Sequence, residues 1–224
     1  MPEARLSGID RAELLRYLSY RGGELQESVQ SDLERCEALL LQTARPRLVW
    51  KLFDLLPDYS LKGSVYRPSG EDIRLLLADC TQVVLMAATL GAEVEALLRR
   101  AEGRSMADAV ILDAAGSAAI ENVCDNFCAD LAVQLAPRHV TERFSPGYGD
   151  MPLDDQVPFF RALDVSRRIG VGLSDTNLMV PQKSVTALIG VSDRPQPRRG
   201  RGCASCPRAL SCAFRREGKS CGLF

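Results

Sequence analysis

Apolar side chains recur at helical spacing in the first 45 residues of the chain. Asp10 followed by Glu13 is a capping-box pattern, and leucines then repeat on one helix face. A second helix is predicted from about Gln26 to Ala44, because the helical spacing continues until Pro46 interrupts it. Both segments are predicted to be packing helices.

The next apolar segments change in period and composition. The stretch RLVWKLFDLLPDYSLKGSVY is rich in β-branched and aromatic residues, and it predicts one or two strands. Ser69 is the predicted N-cap of a helix that runs to about Ala78. The segment TQVVLMAATLG then has the character of a buried strand, and another helix is predicted from near Ala92 to Gly103.

The longest helical pattern is SMADAVILDAAGSAAIENVCDNFCADLAVQLAPR. Its AAGSAA segment contains only small residues, so another backbone or a ligand can approach there; tight helix packing is the alternative interpretation. Glu121, Asp125 and Cys128 follow at positions i, i+4 and i+7, which places them near one another on the helix. Such carboxylates usually form a solvated face, yet the rest of this stretch is apolar.

A segment without periodicity, RFSPGYGD, occupies residues 143–150. Its Pro-Gly pair predicts a turn, and a turn alone does not require the arginine and tyrosine that flank the pair. A short helix is predicted from about Pro158 to Ile169. The segments NLMVP and SVTALIGVS then predict two strands joined by PQKS.

Composition restricts the class of protein. With 224 residues, 46% of them hydrophobic and 25% charged, the chain can bury the core of one large domain. The net charge of −1 gives no general indication of binding to nucleic acid or membranes. Apolar runs are too short to span a bilayer and no signal peptide is evident, so we expect a cytoplasmic protein. The single histidine excludes a site that needs two histidines from this chain.

Half of the eight cysteines lie in the last 22 residues, after the basic segment RPQPRRGRG at 194–202. They follow the spacing Cys-x2-Cys-x5-Cys-x8-Cys: Cys203, Cys206, Cys212 and Cys221. In a reducing compartment such a cluster predicts a metal site, with either tetrahedral zinc or an iron–sulfur cluster as the occupant. Cys124 and Cys128 are instead expected to be packing residues.

The order of these features resembles the activation domain of cobalamin-dependent methionine synthase. RFSPGY matches the R-x-x-x-G-Y pattern of that family, and the run from Leu163 to Val185 is similar to its downstream block. The matched positions of that block include Gly170, Leu173, Met179, Pro181 and Ser184. The resemblance covers about residues 70–193, and the preceding part is similar to what free-standing members place ahead of the domain.

This resemblance implies the domain organisation and the fold. Residues 1–69 are expected to form an N-terminal helical extension, 70–193 the activation-like domain, 194–202 a linker and 203–224 the metal-binding tail. The implied fold class is α/β in the broad sense, or α+β: a mixed or antiparallel sheet flanked by helices in a single curved domain. S-adenosylmethionine is expected to bind along one groove of that domain.

The resemblance also assigns roles to Arg143 and to the turn that follows it, residues 144–148, which we call the corner. Arg143 is expected to bind the methionyl carboxylate through its planar fork of donors, and the backbone of Ser145 to contact the adenine. Gly147 is expected to allow close backbone approach, and Tyr148 to place a ring and a hydroxyl beside the ligand or the corrin. The alternative interpretation of Arg143 and Tyr148 is a surface turn with an ion pair.

An acidic residue of the preceding helix holds the ligand's amino group in this family. Asp125 is the best match for that role, and Glu121, one turn away, is the alternative. No residue pattern predicts a catalytic base, so we expect an accessory subunit rather than an independent enzyme.

The expected function is reductive methylation of cob(II)alamin carried by a separate methionine synthase. The implied partners are the cobalamin-binding domain of that synthase and an electron donor such as a flavodoxin or ferredoxin. A reactivator needs an electron, which favours the iron–sulfur interpretation of the tail.

Two other functions are compatible with the sequence. The first is an enzyme in its own right, a small iron–sulfur reactivator of other corrinoid methyltransferases. A version of this function that uses ATP in place of S-adenosylmethionine is disfavoured, because the chain lacks a Gly-x4-Gly-Lys-Ser/Thr loop. The second is a non-catalytic module in which the basic linker and a zinc knuckle bind nucleic acid. The near-neutral total charge argues against the second function.

Overall fold

A four-stranded antiparallel sheet lies at the centre of the fold, in the order β1-β2-β6-β3. The computed structural model describes residues 4–20, 22–195 and 216. The strands of this sheet are β1 (Arg47–Asp54), β2 (Gln82–Thr89), β3 (His139–Val140) and β6 (Ser184–Ser192). A separate two-stranded sheet pairs β4 (Gly172–Leu173) with β5 (Met179–Val180).

Helices cover both faces of the central sheet. Their bounds are α1 (Arg11–Tyr17), α2 (Glu27–Thr43), α3 (Glu71–Leu77), α4 (Ala92–Glu102), α5 (Met106–Leu135), α6 (Gln156–Leu163) and α7 (Val165–Ile169). A short 3₁₀ helix, Leu153–Asp155, precedes α6. Helices α1, α2, α4 and α5 pack on one face of the sheet, and α3, α6 and α7 pack on the other.

The continuous apolar run of β2 follows from this layered arrangement. Val84 and Met86 belong to the core beneath α5, whereas Val83 and Leu85 belong to the core beneath α6. Successive side chains of a strand point to opposite faces, so a strand covered on both sides has no solvent-facing positions. The sequence pattern therefore shows a buried run rather than alternation.

The predicted α+β class with an antiparallel sheet is confirmed. Strand β1, which belongs to the first 69 residues, pairs with β2 along its whole length. Among the described residues, no helix is long and apolar enough to cross a membrane. The four predicted metal ligands of the tail and most of the linker lie outside the described residues.

Local signals predicted some helix ends correctly and others wrongly. The carboxylate of Asp10 accepts the N–H of Ala12 at 2.8 Å, which confirms the predicted cap of α1. The predicted Ser69 cap of α3 is wrong, because Gly70 occupies the N-cap position and has no side chain. The single helix predicted near residues 158–169 is two helices, since Asp164 adopts a left-handed conformation between them.

The small residues in the middle of α5 accommodate a lysine side chain. A Cβ added at Gly116 would lie 3.1 Å from Cε of Lys183, so the lysine stem runs directly over this glycine. Its Nζ lies 2.7 Å from an Asp113 carboxylate oxygen and donates to the Ser117 hydroxyl at 2.9 Å. The close approach at Gly116 is therefore packing within the protein, which is the second of the two interpretations of AAGSAA.

Candidate functional site

Three polar side chains on successive turns of α5 surround the guanidinium of Arg143. Nη2 donates to the Glu121 carboxylate at 2.6 Å, and Nη1 donates to the Asp125 carboxylate at 2.7 Å. Nη1 also lies 3.8 Å from Sγ of Cys128. The predicted alignment of positions i, i+4 and i+7 is confirmed, and Arg143 is the side chain that contacts all three.

The neighbouring Phe144 explains how Arg143 reaches α5. The N–H of Phe144 donates to the Leu188 carbonyl at 2.9 Å, and the Leu188 N–H donates back at 2.7 Å. This bridge attaches the chain to β6 in an extended conformation. Because adjacent side chains then point to opposite faces, Phe144 enters the core beneath α6 while Arg143 extends to α5.

The three charged side chains differ in exposure. The Arg143 side chain is 20% exposed and that of Glu121 is 39% exposed, whereas that of Asp125 is 71% exposed. The cluster therefore has an enclosed cation at its base and a carboxylate accessible to solvent at its edge. Such access allows a charged molecule to reach the pair without opening the core.

Burial and charge act in opposite directions on these groups. Burial raises the pKa of Glu121, and the positive charge of Arg143 only partly offsets that effect. Burial on its own would lower the pKa of Arg143, but the surrounding thiols and carboxylates raise it above its ordinary value. The guanidinium is consequently charged at any physiological pH.

Helix α1 adds a group that the sequence did not connect with the site. The pKa of Tyr17 is raised by burial and by the nearby charge of Glu121. Arg16 lies 4.4 Å from the centre of the Tyr17 ring and is ion-paired with Glu13. The helical pattern identified α1 only as a packing helix, and no sequence signal relates it to residues so distant in the chain.

Backbone hydrogen bonds stabilise the corner that follows Arg143. The N–H of Gly147 donates to the Met151 carbonyl at 3.0 Å, and the N–H of Tyr148 donates to the Ser145 carbonyl at 3.1 Å. Gly147 has a φ of +90°, a conformation that L side chains rarely adopt. Pro146 is buried beside it, whereas the Tyr148 side chain is 68% exposed.

The structure thus brings the predicted site residues together in two groups. Arg143, Glu121 and Asp125 are in direct contact. Ser145, Gly147 and Tyr148 follow on the loop that leaves Arg143, and Tyr148 extends towards solvent. Their roles as ligand contacts stay a prediction.

The opposite charges of Arg143, Glu121 and Asp125 match those of a zwitterionic ligand. A guanidinium binds a carboxylate through paired hydrogen bonds, and an accessible carboxylate binds an ammonium group. An amino-acid head group carries both charges, so it can replace part of the internal ion pairing without leaving a charge unpaired. In the part of the chain that the structure describes, no group of His, Cys, Asp and Glu side chains is arranged to hold a metal ion.

Comparison with known proteins reveals a likeness in three dimensions. No family model matches the chain, and no curated protein matches it in sequence. A crystal structure described as the MetH reactivation domain bound to AdoHcy matches with a TM-score of 0.61 and 17% sequence identity. The match covers 95% of this chain and 82% of that chain. The chain therefore has the fold of this reactivation domain.

Proposed function

We propose that this protein binds S-adenosylmethionine as an accessory subunit of a separate cobalamin-dependent methionine synthase, in the cytoplasm. Its role is to support reductive methylation of cob(II)alamin on that partner. The observation that carries the proposal is the contact of Arg143 with Glu121 and Asp125 beside the corner, in a fold shared with a domain solved with AdoHcy.

The charged group of the site is assigned to the amino-acid end of the ligand. Arg143 would bind the methionyl carboxylate through its two terminal nitrogens. Asp125 would bind the ammonium group, since it is the more exposed of the two carboxylates. Glu121 would stay on Arg143 and keep the guanidinium oriented through the hydrogen bond of 2.6 Å that joins them.

The corner is assigned to the rest of the ligand. The backbone of Ser145 would contact the adenine, and Gly147 would permit the close approach that a side chain would obstruct. Tyr148 would cover the ligand with its exposed ring on the side that faces the partner. The corner therefore supplies shape and contact area, and the charged group supplies orientation.

These residues perform no acid–base or nucleophilic chemistry. S-adenosylmethionine, when bound, supplies the methyl group, and the cobalt of the partner is the substrate that receives it. The contribution of this chain is to hold the donor in one orientation at the surface where the partner docks, and to exclude water. A site with charged anchors at one end and an exposed aromatic ring at the other is suited to that task.

The electron for the reduction is assigned to a donor such as a flavodoxin or ferredoxin, with the cysteine tail as a relay. The four cysteines lie outside the described residues, so the tail stays a prediction from sequence. Visible charge-transfer absorption of anaerobically purified protein is expected for an iron–sulfur cluster. Stoichiometric zinc without such absorption would contradict the relay and make the tail a structural site.

Calorimetric titration of the full chain with S-adenosylmethionine tests the binding proposal. Wild-type protein is expected to bind, and Arg143→Ala to bind about tenfold to hundredfold more weakly, because charged hydrogen bonds contribute about 1.5–3 kcal/mol. Arg167→Ala is the matched control, since Arg167 is 80% exposed and its ion pair with Asp164 is a local one, three residues away in the chain. It should bind like the wild type.

Two outcomes would contradict the assignment. The first is the absence of binding by the wild-type protein. The second is equal affinity of the wild type and Arg143→Ala, with thermal unfolding showing that the variant is folded.

A further inference from the structure

The N-terminus of α3 is capped by a residue of the corner loop. Asp150 accepts the N–H of Glu71 at 2.6 Å with one carboxylate oxygen, and the N–H of Asp72 at 3.1 Å with the other. In return, the N–H of Asp150 donates to the Asp72 carboxylate at 3.3 Å. This reciprocal arrangement is that of a capping box, but its two halves come from distant parts of the chain.

Glycines allow the two segments to approach so closely. Gly70 has a φ of +111°, and a Cβ added there would lie 2.6 Å from a carboxylate oxygen of Asp150. Gly149 has a φ of +55°, and a Cβ there would overlap the Asp72 carboxylate. A side chain at either glycine would thus displace the carboxylate of Asp150 or of Asp72 from its present position.

The segment that follows Tyr148 is held by the contact with α3 and by contacts next to it. The Tyr148 carbonyl accepts the N–H of Met151 at 3.0 Å, and Met151 is buried. Asp155, a few residues further on, accepts the N–H of Ser69 at 2.8 Å. Because the exposed Tyr148 ring has little packing of its own, these backbone contacts determine where it stands.

We infer that Asp150 is a positioning residue for Tyr148: by capping α3, it holds the Pro146–Tyr148 corner in the conformation that receives the ligand. This inference rests on the proposed function, since it gives Tyr148 a ligand to contact. The R-x-x-x-G-Y motif ends at Tyr148, and the resemblance assigned no role to Asp150.

A double-mutant cycle on ligand binding tests the inference. Tyr148→Ala is expected to weaken binding of S-adenosylmethionine about threefold to tenfold, and Asp150→Ala by a similar factor. The double variant is expected to bind no more weakly than Tyr148→Ala. Asp150 acts on binding through the Tyr148 ring, so its removal has no further effect once the ring is absent. Additive losses would overturn the inference, since a merely structural effect of Asp150 would act independently of the ring.

Asp154→Ala is the matched control for this cycle. Asp154 is an exposed aspartate of the 3₁₀ helix that follows the corner, and its carboxylate accepts a hydrogen bond from the Asn177 side chain at 2.8 Å. Its replacement is expected to leave the effect of Tyr148→Ala unchanged. Coupling of the same size for Asp154 and Asp150 would overturn the specific role of Asp150.

Amide hydrogen exchange separates this inference from the proposed function. Without ligand, Asp150→Ala is expected to speed exchange at Glu71, Asp72 and Met151 about fivefold, as loss of a helix cap predicts. Asp150→Asn, which keeps one acceptor oxygen, should give a smaller increase. Unchanged exchange would overturn the inference, whereas failure of the wild type to bind S-adenosylmethionine, with exchange altered, would overturn only the proposed function.

Discussion

Two positively charged side chains, Lys183 and Arg143, contact helix α5, and they differ in the number of carboxylates that pair with them. Lys183 contacts the first half of the helix, where its Nζ lies between one carboxylate and one hydroxyl. Arg143 contacts the second half, where two carboxylates and a thiol surround it. Among the described residues, one carboxylate is ion-paired with the lysine and two are ion-paired with the arginine.

The difference in charge balance has a physical consequence. The charges of Lys183 and Asp113 balance each other, with Lys183 10% and Asp113 60% exposed, and the lysine stem over Gly116 belongs to the packing of α5. Among the described residues that form its ion pairs, two carboxylates face the single charge of Arg143, and the Asp125 side chain is 71% exposed. The second cluster can therefore accept an additional cation, such as an ammonium group, at a low desolvation cost. The same helix thus carries one structural ion pair and one that is suited to a ligand.

After Arg143→Ala, the largest difference in ligand affinity is expected from neutralising the exposed carboxylates, Asp125 in one cluster and Asp113 in the other. Asp125→Asn is expected to weaken S-adenosylmethionine binding about fivefold, because an exposed charge pair contributes up to about 1 kcal/mol. Asp113→Asn, its counterpart on the Lys183 side, should leave binding unchanged. Calorimetric titration of both variants provides the measurement.

Equal losses of affinity in the two aspartate variants would contradict the comparison. They would indicate that the ligand responds to the total charge of α5 rather than to the carboxylates next to Arg143. A repeat at high salt distinguishes the two cases, because screening suppresses long-range effects more than direct contacts.

A smaller effect is expected from pH. Glu121 has a pKa above its ordinary value of 4.5, so it gains a proton earlier than an ordinary glutamate as the pH falls. An ammonium group favours the deprotonated form, and affinity for S-adenosylmethionine should therefore fall about threefold as the pH is lowered from neutral towards 4.5. Titrations across this range check the prediction.

Glu121→Gln is the control for the pH dependence. This variant cannot titrate at residue 121, so its affinity is expected to be lower throughout and flatter with pH. A pH profile as steep as that of the wild type would exclude Glu121 as the titrating group.

Short-range patterns predicted most of the helices and the buried central strands. Apolar spacing located α2 and α5 to within a few residues, and the run in TQVVLMAATLG predicted β2 as a buried strand. The alignment of Glu121, Asp125 and Cys128 followed from the helical repeat alone. These predictions succeeded because the interactions that produce the pattern lie within a few residues of each other.

Features that depend on distant segments could not be predicted in this way. Ser69 was a reasonable cap by local rules, yet the amides of α3 are bound by Asp150. The small residues of α5 are compatible with the approach of a backbone or a ligand, or with tight helix packing. The position of Lys183 over Gly116, directly before β6, is set by the tertiary structure. The approach of Tyr17 to Glu121 likewise depends on how α1 docks.

The residue pattern by itself predicted α2, α5 and the buried strand β2, the face of α5 that carries acidic groups and the turn at Pro146–Gly147. The α+β class with a mixed or antiparallel sheet was implied by the family resemblance. Periodicity and turn chemistry are local properties, so one chain is enough to read them. Only the tertiary structure decided that Arg143 meets Glu121 and Asp125, and that Asp150 caps α3. Those contacts join segments whose proximity arises from the packing of the two layers on the sheet, and no local pattern encodes it.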